Sequence, residues 1–263
     1  MGEVRGGDVT LHVEIDGAGE PVTVVAHGLT NSCRELAAFT PLIAGTAVRF
    51  DFRGHGRSSV PPAGSYRFAD FAGDVDAVAR AYGATRAVGT SMGQGAIIHL
   101  LAGDPHRFER LVFVLPACFD VPMLDHSGFD RVAELLESLP KEQAIESILA
   151  EGGRAAAYER APWLRELDLL LWQDMNPVGV ARAIREIVRD VAIPNRELLR
   201  KVTAPTLLIC REGDALHPAE LGRALAELMP NAQLIMLPGE RELYEAIPAL
   251  VGRVSAFLAG DES

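Results

Sequence analysis

The segment Gly89-Thr90-Ser91-Met92-Gly93 is the part of this chain best suited to chemistry. A serine hydroxyl is a weak nucleophile unless the backbone exposes it and a neighbouring base takes its proton. Glycines on either side let the main chain turn sharply enough to expose it. Here the turn follows the apolar run Ala87-Val88-Gly89 and precedes a helical pattern from Met92 to about Ala102. A strand-turn-helix setting gives G-x-S-x-G its meaning, and it sets a helix N-terminus behind Ser91. The alternative is an ordinary turn serine.

Two further segments belong with it. His27-Gly28-Leu29-Thr30 follows the apolar run Val22 to Ala26, where a backbone N–H can face the serine corner. Leu29 and Met92 would then offer the paired amide donors of an oxyanion hole, with His27 bordering the site. The bland reading is a tight turn. Asp51-Phe52-Arg53-Gly54-His55-Gly56-Arg57-Ser58 is a glycine-punctuated turn after the next apolar run, and there Arg53 and His55 read as pins between loops rather than catalysts.

The elements that must hold these segments are short and alternate. Val9 to Ile15 alternates apolar and polar, as a half-exposed strand does, while Val22–Ala26 and Ala47–Asp51 are β-branched-rich runs suited to strands covered on both faces. Arg34 to Leu42 is expected to form a short helix between them. Phe71, Val75, Val78, Ala79 and Tyr82 recur at helical spacing until Gly83, and Leu111–Leu115 is a strand halted by Pro116. From Ala117 to about Thr203 the residues carry helical periodicity without a strand-like run. Strand character returns at Thr206–Cys210, followed by a helix from about Ala219 to Leu228, a strand from Gln233 to Leu237 and a helix from Leu243 to Leu258. Strands alternating with helices imply right-handed crossovers and a mainly parallel sheet. The expected organisation is an α/β core of residues 1–116 and 204–263 with a helical cap, residues 117–203, inserted into it.

The three motifs, in this order and spacing, resemble the α/β-hydrolase superfamily, in particular its capped esterase and lactonase-like branch. The resemblance covers nearly the whole chain and implies the α/β-hydrolase fold. It also implies an acid after the strand that follows the cap, and Asp214 in Arg211-Glu212-Gly213-Asp214 matches that position. The family's histidine follows the last strand, usually in a G-x-G-H segment. Here that segment reads Leu237-Pro238-Gly239-Glu240-Arg241-Glu242, and no histidine occurs after His217.

For ordinary hydrolysis another group would have to supply the base. His217, three residues past Asp214, is the first candidate; its alternative role is simply to begin the next helix beside Pro218. His126, at the entrance to the cap, is the second, with a solvated loop residue as the alternative. His99 is excluded, since eight helical positions put it about 12 Å along the axis from Ser91. Glu240 and Glu242 are weak bases unless burial raises them, and Arg241 would sooner bind a substrate anion. Without a base, activated donors such as thioesters suit the site best, because a thiolate leaves without a proton.

The remaining composition narrows the field. The 263 residues carry 36 acidic against 25 basic side chains, a formal charge of −11, which disfavours nucleic acid and anionic membrane surfaces. The chain has no apolar run long enough to span a bilayer and no apolar signal core near Met1, so a cytoplasmic protein is expected. Cys33, Cys118 and Cys210 lack C-x-x-C pairing, which argues against disulfides and zinc. No metal, nucleotide or other cofactor is implied. Apolar and aromatic cap residues, including Phe119, Met123, Trp163, Leu169, Leu170, Trp172 and Met175, are candidates for pocket lining, as is Cys118, although most such residues form the cap's own core.

These features together point to a serine-dependent hydrolase or acyltransferase. It would act on a small, largely apolar ester, lactone or thioester through an acyl-Ser91 intermediate, with Asp214 orienting His217 or another relocated base. The alternatives are a cofactor-free lyase, isomerase or cyclase on the same fold, using Ser91 only as a hydrogen-bond donor, and a ligand-binding protein without chemistry.

Overall fold

The computed structural model describes residues 1–151, 155, 157–159 and 161–261. Eight strands form one sheet in the order β1-β2-β4-β3-β5-β6-β7-β8. They are β1 (Gly2–Gly6), β2 (Val9–Gly17), β3 (Val22–Ala26), β4 (Thr46–Phe50), β5 (Arg86–Thr90), β6 (Arg110–Val114), β7 (Thr206–Arg211) and β8 (Ala232–Leu237). β2 runs antiparallel to both β1 and β4, and every pairing from β4 through β8 is parallel. This is the α/β-hydrolase fold.

The parallel strands read as continuous apolar runs because both faces are covered. Val24, Val48, Ala87, Leu111 and Leu208 face one core, shared with α1 (Phe68–Tyr82) and α2 (Met92–Gly103). Their neighbours Val25, Ala47, Val88, Val112 and Leu207 face the other, packed on Phe257 and Leu258 of α8 (Glu240–Ala259). Successive residues of a strand point to opposite faces, so each of these pairs feeds both layers. Full burial of a side chain such as Leu111 or Phe113 contributes about 2 kcal/mol. α1 buries Phe68, Phe71, Ala72, Val75, Val78 and Ala79 on one stripe and ends at Gly83, whose φ of 66° closes the last turn.

Between β6 and β7 the described residues include the helices α3 (Ser127–Ser138), α4 (Lys141–Ala150), α5 (Trp163–Leu171) and α6 (Pro177–Ile187), and after β7 comes α7 (Ala219–Leu228). Asn176 caps α6 by accepting the Gly179 amide at 3.0 Å, one position before a proline that needs no partner. Among the described residues no helix is long and apolar enough to cross a membrane.

Two local features depart from what residue patterning suggests. β1 carries no apolar alternation; it pairs with β2 and also packs on α1, with Val4 against the core. Arg34 to Leu42 is a chain of tight turns ending in a 3-10 turn at Thr40–Leu42 rather than an α-helix. Its amides bond three residues back, from Glu35 to Ser32 and from Ala37 to Arg34. The segment's ends are tied elsewhere, with the Cys33 amide on Asp51 and the Glu35 carboxylate on Gly28, and Pro41 lacks the N–H a helix would need.

Candidate active site

Ser91 joins β5 to α2 with φ of 49° and ψ of −111°, a positive-φ conformation that non-glycine residues rarely adopt. The surrounding glycines make this turn possible by their lack of side chains. A Cβ on Gly93 would lie 2.3 Å from the Ala26 carbonyl oxygen, and one on Gly89 would lie 2.7 Å from the Gln94 nitrogen. α2 can therefore start against the end of β3 only with glycine at both places.

The sheet order brings the remaining groups to the same edge. β5 lies between β3 and β6, and β6 pairs with β7, so the loops after β3 and β7 emerge on either side of the Ser91 corner. In the β7 loop, Asp214 folds the chain back on itself: its Oδ1 accepts the amides of Leu216 and His217 at 3.0 and 3.1 Å. That turn aims His217 inward. Its Nδ1 lies 3.0 Å from Asp214 Oδ2, and its Nε2 lies 3.1 Å from Ser91 Oγ.

The protonation pattern follows from the partners. Burial alone would raise the Asp214 carboxyl, but the bond and charge of His217, the His217 amide and the Arg211 guanidinium 2.8 Å away outweigh it and hold the group at about 2. An ionised carboxylate only accepts, so Nδ1 of His217 carries the proton and the Nε2 lone pair faces Ser91. This arrangement can draw the proton from Ser91 as its oxygen attacks a carbonyl.

A cavity of about 50 Å³ opens beside Ser91, lined by Leu29 and Met92 at the serine and by Phe68, Cys118, Phe119, Met123, Val188 and Asp190 beyond it. Met92 begins α2, and amides in a helix's first turn have no acceptor within the helix. Cys118 does face the cavity, yet burial pushes its thiol up to about 12, so it stands there as a neutral wall group. Phe119 and Met123 also line it, whereas Trp172 and Met175 are buried within the helical insertion.

Three expected binding residues lie outside this lining. His27 is buried and holds the loop instead: its Nδ1 donates to the Gly28 carbonyl at 2.7 Å and its Nε2 accepts the Phe52 amide at 3.1 Å. Burial drives its pKa down to about 4, so it stays neutral. His126 starts α3 and pairs with Asp130 at 2.6 Å, in an ion cluster that also holds Arg189. Trp163 is half exposed and packs edge-on against Tyr244 of α8, 4.9 Å between ring centres. Glu240, Arg241 and Glu242 form the first turn of α8, where Arg241 pairs with Glu245 at 2.7 Å. Arg53 is bound to Asp74 at 2.8 Å and His55 to the Arg53 carbonyl at 2.9 Å, so both act as loop pins.

One residue that no sequence motif marks supports the site. Glu35 accepts the Gly28 amide at 2.7 Å and the Asn31 side chain at 2.6 Å, directly behind the loop that carries Leu29. Burial raises its pKa to about 7 in spite of those two donors. No spacing rule in the sequence ties residue 35 to residue 28; only the tight turns do.

Comparison with known proteins agrees with this architecture. Residues 21–245 match the family model described as alpha/beta hydrolase fold. Similar in sequence is the "putative carbamate hydrolase RutD" of Azorhizobium caulinodans, 27% identical over 94% of this chain and 93% of that protein. Among solved structures, a hydrolase from Pseudomonas aeruginosa PA01 is 27% identical, covers 95% of this chain and 94% of its own, and has a TM-score of 0.77. The enol-lactonase from Burkholderia xenovorans LB400 reaches a TM-score of 0.79 at 22% identity, covering 96% of this chain and 98% of its own.

Proposed function

Because the chain belongs to the alpha/beta hydrolase fold family, we propose that it hydrolyses a small acyl substrate, an ester, lactone or carbamate, through an acyl-Ser91 intermediate. The observation that carries this reading is the pair of contacts made by His217: Nε2 at 3.1 Å from Ser91 Oγ and Nδ1 at 3.0 Å from Asp214.

In the first half-reaction Ser91 Oγ bonds to the substrate carbonyl carbon while His217 Nε2 takes its proton. Asp214 steadies the imidazolium, and the amides of Leu29 and Met92 stabilise the negative oxygen. The bond to the leaving group then breaks, and His217 returns the proton to the departing oxygen or nitrogen. In the second half-reaction water attacks the acyl-Ser91 ester, His217 takes the proton of the water, and Ser91 leaves with that proton to regenerate the site.

With a base in reach of the serine, the site does not depend on thiolate leaving groups. The lyase, isomerase, cyclase and binding alternatives rest on the empty histidine position after β8, and the two contacts of His217 support hydrolysis over them. A cavity of about 50 Å³ favours short acyl groups. The relative named as a carbamate hydrolase and the esterase and lactonase neighbours support a substrate of this class.

The test is hydrolysis of p-nitrophenyl acetate, p-nitrophenyl octanoate and a small aryl carbamate by the wild type and by Ser91→Ala. Acetate is expected to exceed octanoate in kcat/KM, and Ser91→Ala is expected to abolish turnover. Undiminished turnover by Ser91→Ala would remove the proposal.

A further inference from the structure

The cavity beside Ser91 has an apolar wall broken by one carboxylate. Asp190 lies just beyond α6 and lines the cavity together with Phe68, Phe129 and Ile187. Its Oδ2 accepts the Phe68 amide at 2.9 Å. Among the described residues Oδ1 has no hydrogen-bond partner, and no Lys, Arg or His lines the cavity. The neighbouring cation is committed elsewhere, since Arg189 bonds both oxygens of Asp130 at 2.8 Å.

Asp190 is only partly buried; the protein gives its carboxylate one amide and leaves the other oxygen to solvent or a ligand. A ligand with a cationic N–H can supply the rest. A ligand with its own carboxylate meets a like charge there. We propose that Asp190 is a specificity residue that selects a short acyl group ending in a protonated amine and rejects one ending in a carboxylate. The catalytic form of this statement rests on Ser91 acting as nucleophile; the binding form does not.

The test compares p-nitrophenyl esters of β-alanine, butyrate and hemisuccinate, matched in reach, on the wild type and Asp190→Asn. An asparagine can still accept the Phe68 amide through its oxygen, and a thermal melt checks that the fold is kept. A bond to a charged group is worth roughly ten- to a hundred-fold, so the wild type should favour the β-alanyl over the butyryl ester by at least about tenfold in kcat/KM. Asp190→Asn should remove that preference and raise the hemisuccinyl rate relative to the butyryl rate. Equal scaling of all three substrates by the substitution, or a wild type that prefers hemisuccinate, overturns the proposal.

Calorimetric affinities for the ethyl esters of β-alanine and butyrate, measured on Ser91→Ala with and without Asp190→Asn, separate this inference from the hydrolytic reading. An amine preference that depends on Asp190, in an enzyme that turns over none of the esters, keeps Asp190 and discards the hydrolysis. Normal Ser91-dependent turnover of the butyryl ester with no amine preference does the reverse.

Discussion

His217 and Ser91 are 126 positions apart in sequence, yet the imidazole Nε2 lies 3.1 Å from the serine Oγ. The contact exists because β5, β6 and β7 are consecutive neighbours in the sheet, so the turn after β7 reaches over the end of β6 to the corner after β5. Replacing His217 with alanine should lower kcat on a short ester by about 10³-fold or more while leaving KM near its wild-type value. Steady-state kinetics checks this, and a loss under tenfold would mean that another group takes the proton.

Asp214 should matter to stability as well as to rate. Its carboxyl falls from an ordinary 3.8 to about 2 in the folded chain. A depressed acid stabilises the fold above its unfolded pKa and loses that contribution as pH falls through its folded pKa. The depression corresponds to about 2 kcal/mol. Urea unfolding of wild type and Asp214→Asn should therefore differ by about that amount at pH 6, less near pH 3, and little at pH 2. A difference that is flat with pH would speak against the assigned contacts.

Glu35 carries the opposite sign. Burial raises its carboxyl from 4.5 to about 7, so the folded state holds the proton more tightly than the unfolded state does. That favours folding below about pH 4.5 and is lost as pH rises through 7. Relative to Glu35→Gln, the wild type should lose stability between pH 5 and pH 8. Parallel unfolding curves over that range would show that the carboxylate is solvated rather than packed behind Gly28.

The glycines of the corner separate steric need from ordinary helix propensity. Gly93→Ala places a Cβ 2.3 Å from the Ala26 carbonyl and should cost about 2–3 kcal/mol together with most activity. Gly103, at the other end of α2, has nothing within 4 Å of the methyl that alanine would add, so Gly103→Ala should leave both melting temperature and rate near wild type. Similar melting points for the two variants would argue against the close approach of α2 to β3.

His126 and Trp163 provide the negative controls. Each sits in a surface contact outside the cavity lining, His126 with Asp130 and Trp163 with Tyr244. Alanine at either should change kcat/KM by less than about threefold, and His126→Ala should cost at most about 1 kcal/mol. A large kinetic effect at either would relocate the substrate.

The parts readable in the sequence are those set by local spacing. α1 follows from Phe71, Val75 and Val78 with Gly83 as its stop, and the serine corner follows from a strand, two glycines and a helix. What the sequence leaves open depends on contacts between distant segments. His217 is one candidate base among several there, because its distance to Ser91 is decided by strand order. Its nearest local clue is the Asp-x-x-His spacing, which lets one Asp214 oxygen bind two amides and curl the loop. His27 and His126 look like site residues by position, but buried backbone partners claim the first and a surface ion cluster the second. Asp190 has no local signal, since only the packing of the segment after α6 against the start of α1 brings it to the cavity.

The nucleophile itself is tested most directly by a serine-directed fluorophosphonate, with intact-protein mass and peptide mapping of the product. One adduct per chain is expected, carried on Ser91, absent in Ser91→Ala and formed far more slowly in His217→Ala. An unlabelled wild type, or an adduct on any other residue, would refute Ser91 as the nucleophile.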